Sequence, residues 1–264
     1  MPERQILSDR LQELTAKLGR HVENLVHFSV TNSTHALARQ IIAEMDEESQ
    51  KLGATLILAD SQEQGEGRGD RGWESPHGGL YMSWLRSGIK AETIAQLPML
   101  AAAAANQALA DLGISDLRIK WPNDILVRGR KLAGILVFAR HGETTWVAVG
   151  LGVNTETTPV LDQTASLQAI SVAELLGEGN AEAWCDQITC TFVNRLDDLM
   201  NDPGPAIEQW RELLIQRPGD TISVRLATGQ VVSGTLVELT DEGFLKVTEN
   251  GKERVITGGD VIES

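Results

Sequence analysis

The sequence is short of cysteine, of basic charge and of long apolar runs, and each shortage excludes something. Only two cysteines occur in 264 residues, Cys185 and Cys190. They fall within one helical pattern at a spacing unsuited to bridging one another or to holding zinc, so the fold rests on packing and both thiols are expected in the core. No stretch approaches the roughly 18 apolar residues that span a bilayer, and the N-terminal MPERQILSDRLQEL has no apolar signal region. The expectation is a protein with no membrane partner in a reducing, cytoplasmic setting. Lysine and arginine total 23 against 37 acidic residues, a formal charge of −14. That balance argues against a broad electrostatic footprint for duplex DNA or an anionic membrane. Any anion must bind locally. Internal repeats and low-complexity linkers are also missing.

What is present is a chain with enough apolar residues, 42%, to bury a substantial core. Ser8 is positioned to cap a short helix carrying Leu11, Leu14 and Leu18 at helical spacing and ending at Gly19. LVHFSVTNS reads as a strand and THALARQIIAEMDEE as a helix. ATLILAD and LYMSWLR read as strands on either side of a glycine-rich stretch. Glu92 to Leu112, with its alanine run, predicts a closely packed core helix. LRIKW, DILVRGRKLAGILVFAR and TTWVAVGLGVN then follow as a β-meander with turns at Arg128-Gly129 and His141-Gly142. Trp184, Ile188, Phe192, Leu196 and Met200 step by four along one amphipathic helix, and GPAIEQWRELL predicts another. After Gln216 the chain alternates apolar and polar with turns at Thr228-Gly229, Glu242-Gly243 and Asn250-Gly251, as a small antiparallel barrel would. The expected division is residues 1–216 and 217–264.

Three stretches carry polar chemistry. GEGRGDRGWESPHGGL places six glycines and two arginines in sixteen residues. Glycine brings bare backbone close to a ligand and arginine offers donors matched to phosphate or carboxylate, yet the spacing matches neither the phosphate loop nor the dinucleotide fingerprint. By itself it reads as a surface loop. In KWPNDILVRGRKLAGIL, Pro122 interrupts a strand beside Asn123 and Asp124. Alone that is an ordinary turn with capping side chains, and Lys131 is an ordinary edge charge. Alternation there buries Leu132 and passes Gly134 close to a neighbour or ligand. VAVGLGVN sets Gly150 and Gly152 on one side of a buried strand that ends at Asn154. Trp73 and Trp121 are both expected in the core.

Taken in order, NSTHALA, QEQGEGRGDRGWESPHGGLYMS, KWPNDILVRGRKLAGIL and VGLGVN, followed by a short β domain, resemble the biotin protein ligases over nearly the whole chain. The resemblance implies an α+β fold: a mixed β-sheet with helices mainly on one face, plus a small C-terminal SH3-like β-barrel. It implies that biotin attacks ATP to give biotinyl-5′-AMP and pyrophosphate, and that a lysine of a biotin carboxyl carrier protein then takes the acyl group. Carried over by residue, Ser33, Thr34, His35, Gln62, Gly65, Glu66, Gly67, Arg68 and Lys131 fall at biotin positions. Arg68, Arg71, Trp73, Lys120, Asn123, Asp124 and Asn154 fall at nucleotide positions. Lys131, Arg68 and Lys120 would carry catalysis, and Asp124 would help hold Mg²⁺.

The match has departures. His35 stands where the family has asparagine. Glu66 replaces the first loop arginine, Gly69 a basic position and Asp70 a later glycine. Two added acids beside an anionic adenylate should weaken nucleotide binding or retention of the intermediate unless their side chains point outward. Only about one helix precedes the Ser33 motif, too little for a winged-helix DNA reader, so no operator binding is expected. A lipoate-type ligase and a non-catalytic biotin-binding or scaffold protein are the competing readings, and the assembly state is open between monomer and homodimer.

Overall fold

The computed structural model describes residues 2–48, 52–69, 71–142, 144–159 and 167–263. Its strands are β1 (Asn24–Thr31), β2 (Thr55–Gln62), β3 (Leu80–Ser87), β4 (Leu117–Lys120), β5 (Asp124–Val127), β6 (Arg130–Arg140) and β7 (Trp146–Val153), followed by β8 (Thr221–Arg225), β9 (Val231–Leu239), β10 (Leu245–Glu249), β11 (Lys252–Ile256) and β12 (Asp260–Glu263). The helices are α1 (Pro2–Leu18), α2 (Thr34–Glu47), α3 (Ala91–Ala110), α4 (Val172–Leu176), α5 (Ala181–Leu199) and α6 (Gly204–Leu213).

Among the described residues, the first seven strands form one mixed sheet in the order β1-β2-β3-β7-β6-β5-β4. Only β1 and β2 run parallel, and α2 is the crossover that parallel neighbours require. The meander occupies β4 to β7 as its turn residues predict, with Arg128 and Gly129 both at positive φ. Strand alternation then divides the core in two. Leu56, Leu58, Trp84, Val147 and Val149 face the layer of α1, α3, α5 and α6. Ile57, Leu85, Trp146 and Ala148 face the other way, against Ala38 and Ile42 of α2. Helices therefore lie mainly on one face, and the lone α2 leaves room beside it.

Ala101 to Ala105 of α3 are all buried to within 1%, and their small side chains let α5 and α6 pack directly on this helix. Two expectations are corrected. Ser8 lies inside α1 rather than capping it, because the helix starts at Pro2, a residue whose fixed φ and missing N–H suit a first helical position. Cys185 and Cys190 are free but only partly buried, since they flank the buried stripe of Ile188, Phe192 and Leu196 rather than lying on it.

The last five strands form an antiparallel, SH3-like sheet in the order β11-β10-β9-β8-β12. Asn250 and Gly251, both at positive φ, make the tight hairpin between β10 and β11. Ile222, Val224, Leu236, Leu245 and Val247 point inward and join the main core. Trp121 fixes the junction: its indole N–H donates to the Gly243 carbonyl at 2.9 Å, and its backbone N–H donates to Gln216 Oε1 at 3.0 Å. Trp121→Phe removes the indole donor, strands a buried carbonyl and leaves a small void. The expected cost is about 2–3 kcal/mol in urea denaturation, with hydrogen exchange rising in β9 and β10 before it rises in β2 and β3.

Candidate active site

The open space lies on the α2 side of the sheet, where side chains run out. Along one face of β7 the residues are Trp146, Ala148, Gly150 and Gly152. The first two pack with α2, and the last two present bare backbone. Gly152 stands opposite Gly134 of β6, while Ser83 and Tyr81 of β3 stand opposite Gly150 and Gly152. The Trp73 indole covers this floor: a Cβ at Gly152 would lie 2.7 Å from the ring, and one at Gly134 would lie 2.9 Å from it. Trp73 is therefore a half-buried lid over glycine and not a core residue as expected, whereas Trp121, 3% exposed, is core.

One end of the pocket is polar and uncharged. Ser33 caps α2 by accepting the Ala36 N–H at 3.2 Å. Gln62 Oε1 accepts from the Thr34 N–H at 2.8 Å and from its hydroxyl at 3.2 Å, Gln62 Nε2 donates to Ser75 at 2.8 Å, and Ser83 donates to Thr34 at 3.1 Å. Gly65 passes so close that a Cβ would meet the Trp73 carbonyl at 2.3 Å. His35 is 5% exposed and its Nδ1, next to Gly150, has no hydrogen-bond partner. Trp73 Nε1 is equally buried and unpartnered. Two orphaned nitrogens in one pocket are groups that a polar ligand could satisfy.

The other end is charged. A bulge between β5 and β6 pairs Ile125 with Ala133 but Leu126 with Lys131, and the extra residue, Leu132, turns Lys131 to the face of Asp124. Lys131 Nζ lies 2.7 Å from Asp124 and 4.9 Å from the centroid of Trp73. Lys120 is Asp124's cross-strand partner. Burial lowers its pKa, and the field of Asp124 and Asp260 opposes that shift. Asn123 donates to the Ile135 carbonyl and so pins the bend after Pro122 to β6. Asn154, expected beside a nucleotide, donates to the carbonyls of Lys131 and Ile170 at 3.2 and 3.1 Å. It is a strut beneath Lys131.

The glycine-rich stretch folds over the pocket as a hairpin. Gly67 N–H donates to Arg71 O at 2.9 Å and Trp73 N–H to Gly65 O at 2.7 Å. Arg68 donates to the Gly259 carbonyl at 2.9 Å and Arg71 to Asp260 at 2.7 Å, so the C-terminal sheet holds the hairpin's tip. Burial lowers the Arg68 pKa against the pull of Asp260. The Glu66 carboxylate pairs with Arg39, 2.6 Å off on α2. The expectation for Asp70 lies outside the described residues. Sequence reasoning missed Tyr81 and Ser83, which line the pocket, and Arg39, Ser75 and Asp260, which the fold brings against Glu66, Gln62 and Arg71.

Comparison with known proteins places the geometry. Residues 27–154 match the profile of the biotin/lipoate A/B protein ligase family, and residues 219–262 match the biotin protein ligase C-terminal domain. The fold is that of the biotin protein ligase from Aquifex aeolicus solved with biotin and ATP, with TM-score 0.70, 21% identity, 90% of this chain and 97% of that one covered. These likenesses define an enzyme of the biotin/lipoate ligase class. The bifunctional ligase/repressor BirA of Bacillus subtilis is 31% identical over 254 residues, covering 94% of this chain and 75% of the relative. A biotin–[acetyl-CoA-carboxylase] ligase of Mycobacterium tuberculosis is 27% identical, covering 80% and 79%. The chain belongs to the biotin protein ligase family.

Two outcomes follow from the pocket itself. Gly152→Ala should push the Trp73 ring off the floor while changing stability by about 1 kcal/mol or less. Tryptophan emission should shift to the red, and the shift should vanish in a Trp73→Phe background. His35 has its pKa lowered to about 4, first by burial and then by Arg39. Because that value lies below the unfolded one, the unfolded chain takes up the proton first on acidification. Stability should then fall between about pH 6.5 and pH 4, by about 3 kcal/mol in all. His35→Asn should flatten that stretch of a stability–pH curve measured by denaturant titration.

Proposed function

We propose that this chain is an ATP-dependent biotin protein ligase in which residues 1–216 carry the chemistry and residues 217–264 form a barrel that completes the lid. The observation that carries the reading is one pocket with two unlike ends on a glycine floor. Its uncharged end offers the Ser33, Thr34, Gln62 and Ser83 groups and the orphaned His35 nitrogen to a polar ring. Its charged end gathers Lys131, Asp124 and Arg68 where a carboxylate and a phosphate would meet, and Lys120 is the cross-strand neighbour of Asp124.

In the first step a biotin carboxylate oxygen attacks the α-phosphorus of ATP, the α–β anhydride bond breaks, and pyrophosphate leaves. Two anions must be brought together, and fixed cations lower that repulsion and hold the charge that develops on phosphorus. Lys131 faces the acyl phosphate, Lys120 faces the nucleotide, and Arg68 with Arg71 closes from the hairpin. Bound with ATP, Mg²⁺ would supply positive charge to the phosphate oxygens. Asp124 is the carboxylate that would hold it, and a lone acid fits an ion that keeps phosphate and water ligands. No cluster of three or more metal-binding side chains occurs among the described residues. In the second step the neutral ε-amine of a carrier lysine attacks the acyl carbon, and the bond to AMP breaks. The glycine hairpin and Trp73 exclude water from the adenylate until then.

The partner is the biotin carboxyl carrier protein of acetyl-CoA carboxylase or a related carboxylase, in the cytoplasm. The β1 edge, with Val26 and Val30 exposed, suits addition of an extended carrier segment. No helix among the described residues is long and apolar enough to cross a membrane. A purely binding protein has no need for Lys131, Lys120 and Asp124 at one end of the pocket, and the uncharged end suits biotin's polar ring better than lipoate. Incubation with biotin, MgATP and a carrier domain should release pyrophosphate and add one biotin mass to the carrier. Lys131→Met should slow pyrophosphate release by about 100-fold or more. Biotin binding without pyrophosphate from the parent protein would overturn the ligase reading.

A further inference from the structure

The hairpin that separates the pocket from solvent has little side-chain substance of its own. Its residues wall both the inner pocket and an open outer cleft, and Glu66, Gly67, Arg68, Arg71 and Gly72 line the two together. A partition rich in glycine cannot be held by apolar packing, so polar anchors must hold it. The tip is tied to Gly259 and Asp260. At the base, Glu66 pairs with Arg39 at 2.6 Å. Arg39 sits one turn beyond His35 on α2, and Ala38 and Ile42, both fully buried, fix that helix to the sheet. Glu66 forms a β-bridge with Gly72, the residue next to Trp73. A fixed Glu66 thus fixes the strand that carries the lid tryptophan.

We propose that Arg39 and Glu66 are positioning residues: their ion pair seats the base of the hairpin on α2 and thereby sets how long the site retains its acyl adenylate. This rests on the ligase reading for its consequence, but the seat itself is a property of the free protein. An acid at position 66 then does not weaken the site by repelling an anion, because its charge is spent on Arg39. The Arg39 side chain is 43% exposed and that of Glu66 30%, so the pair is worth a modest factor and is sensitive to salt.

The test compares the parent with Glu66→Arg, Arg39→Glu and the double exchange. Hydrogen exchange is followed in the peptide from Glu63 to Trp73 without ligands. Release of biotinyl adenylate is followed as biotin transfer to a bystander protein without carrier. Each single variant sets like charges face to face, and both rates should rise by about three- to ten-fold. The double exchange should return both to within about two-fold of the parent. Slower adenylate release by Glu66→Arg alone would overturn the proposal, because added positive charge and not pairing would then govern retention. A double exchange as fast as the singles in hydrogen exchange would overturn it too. A parent that shows the exchange pattern yet forms no pyrophosphate leaves the seat standing and removes the ligase reading instead.

Discussion

Gly134 faces Gly152 across neighbouring strands, and that meeting of two bare backbones is the constraint on which the rest of the site depends. A sheet normally fills its face with side chains, as it does at Trp146 and Ala148 under α2. Two residues further along the same strand the face is empty to backbone depth, and only there can a flat group lie against the sheet. Trp73 does so now, with its indole nitrogen buried and unpartnered. The cost of a bare floor is lost packing, and the large core on the opposite face, which joins α1, α3, α4, α5 and α6 with the C-terminal strands, offsets it. Stability is concentrated on one side of the sheet and chemistry on the other.

Charge is arranged by the same economy. The chain carries a formal −14, yet Lys120, Lys131, Arg68 and Arg71 converge, and acids engage them: Asp124 holds Lys131 and Asp260 holds Arg71. Pairing keeps these side chains ordered, and Coulomb attraction between partly exposed groups is weak enough for an incoming phosphate to compete with it. Two units of the fold share the task, since the arginines ride on the hairpin while Asp260 belongs to the C-terminal sheet. The Trp121 hydrogen bond to Gly243 makes that sharing reliable by fixing one unit against the other.

Much of this was legible in the sequence, and the limits are physical. Periodicity located the meander and the long helices because each pattern is local and repeats. The glycine pair Gly150 and Gly152 could be placed on one face of a strand for the same reason. The bulge at Leu132 could not be read, since alternation through KLAGIL gives no sign of an extra residue; yet the bulge is what turns Lys131 toward Asp124. Trp73 was expected in a core because large apolar side chains usually are, and only the bare floor beneath it shows why this one is a lid. Ser8 offered a credible cap that an earlier helix start made redundant. The partners of Glu66 and Arg71 lie 27 and 189 residues away in the chain, beyond the reach of any local pattern.

The departures from the family's loop pattern then take on a physical order. A substitution in a glycine-rich hairpin acts through what its side chain reaches, not through its charge alone. Glu66 reaches a cation on a rigid helix, so the acid is paired with Arg39 rather than left free toward the ligand. The arginine at position 68 is tied by a backbone contact, the Gly259 carbonyl, and by the neighbouring Asp260 carboxylate at 3.8 Å. His35 sits where a neutral, buried imidazole borders Gly150, so a change of residue type there alters hydrogen-bonding pattern without adding charge. The site can therefore vary at its edges while the floor, the bulge and the Lys131–Asp124 pair stay fixed. Those three features are built from strand register, which cannot shift by one residue without turning every side chain of the sheet to the wrong face.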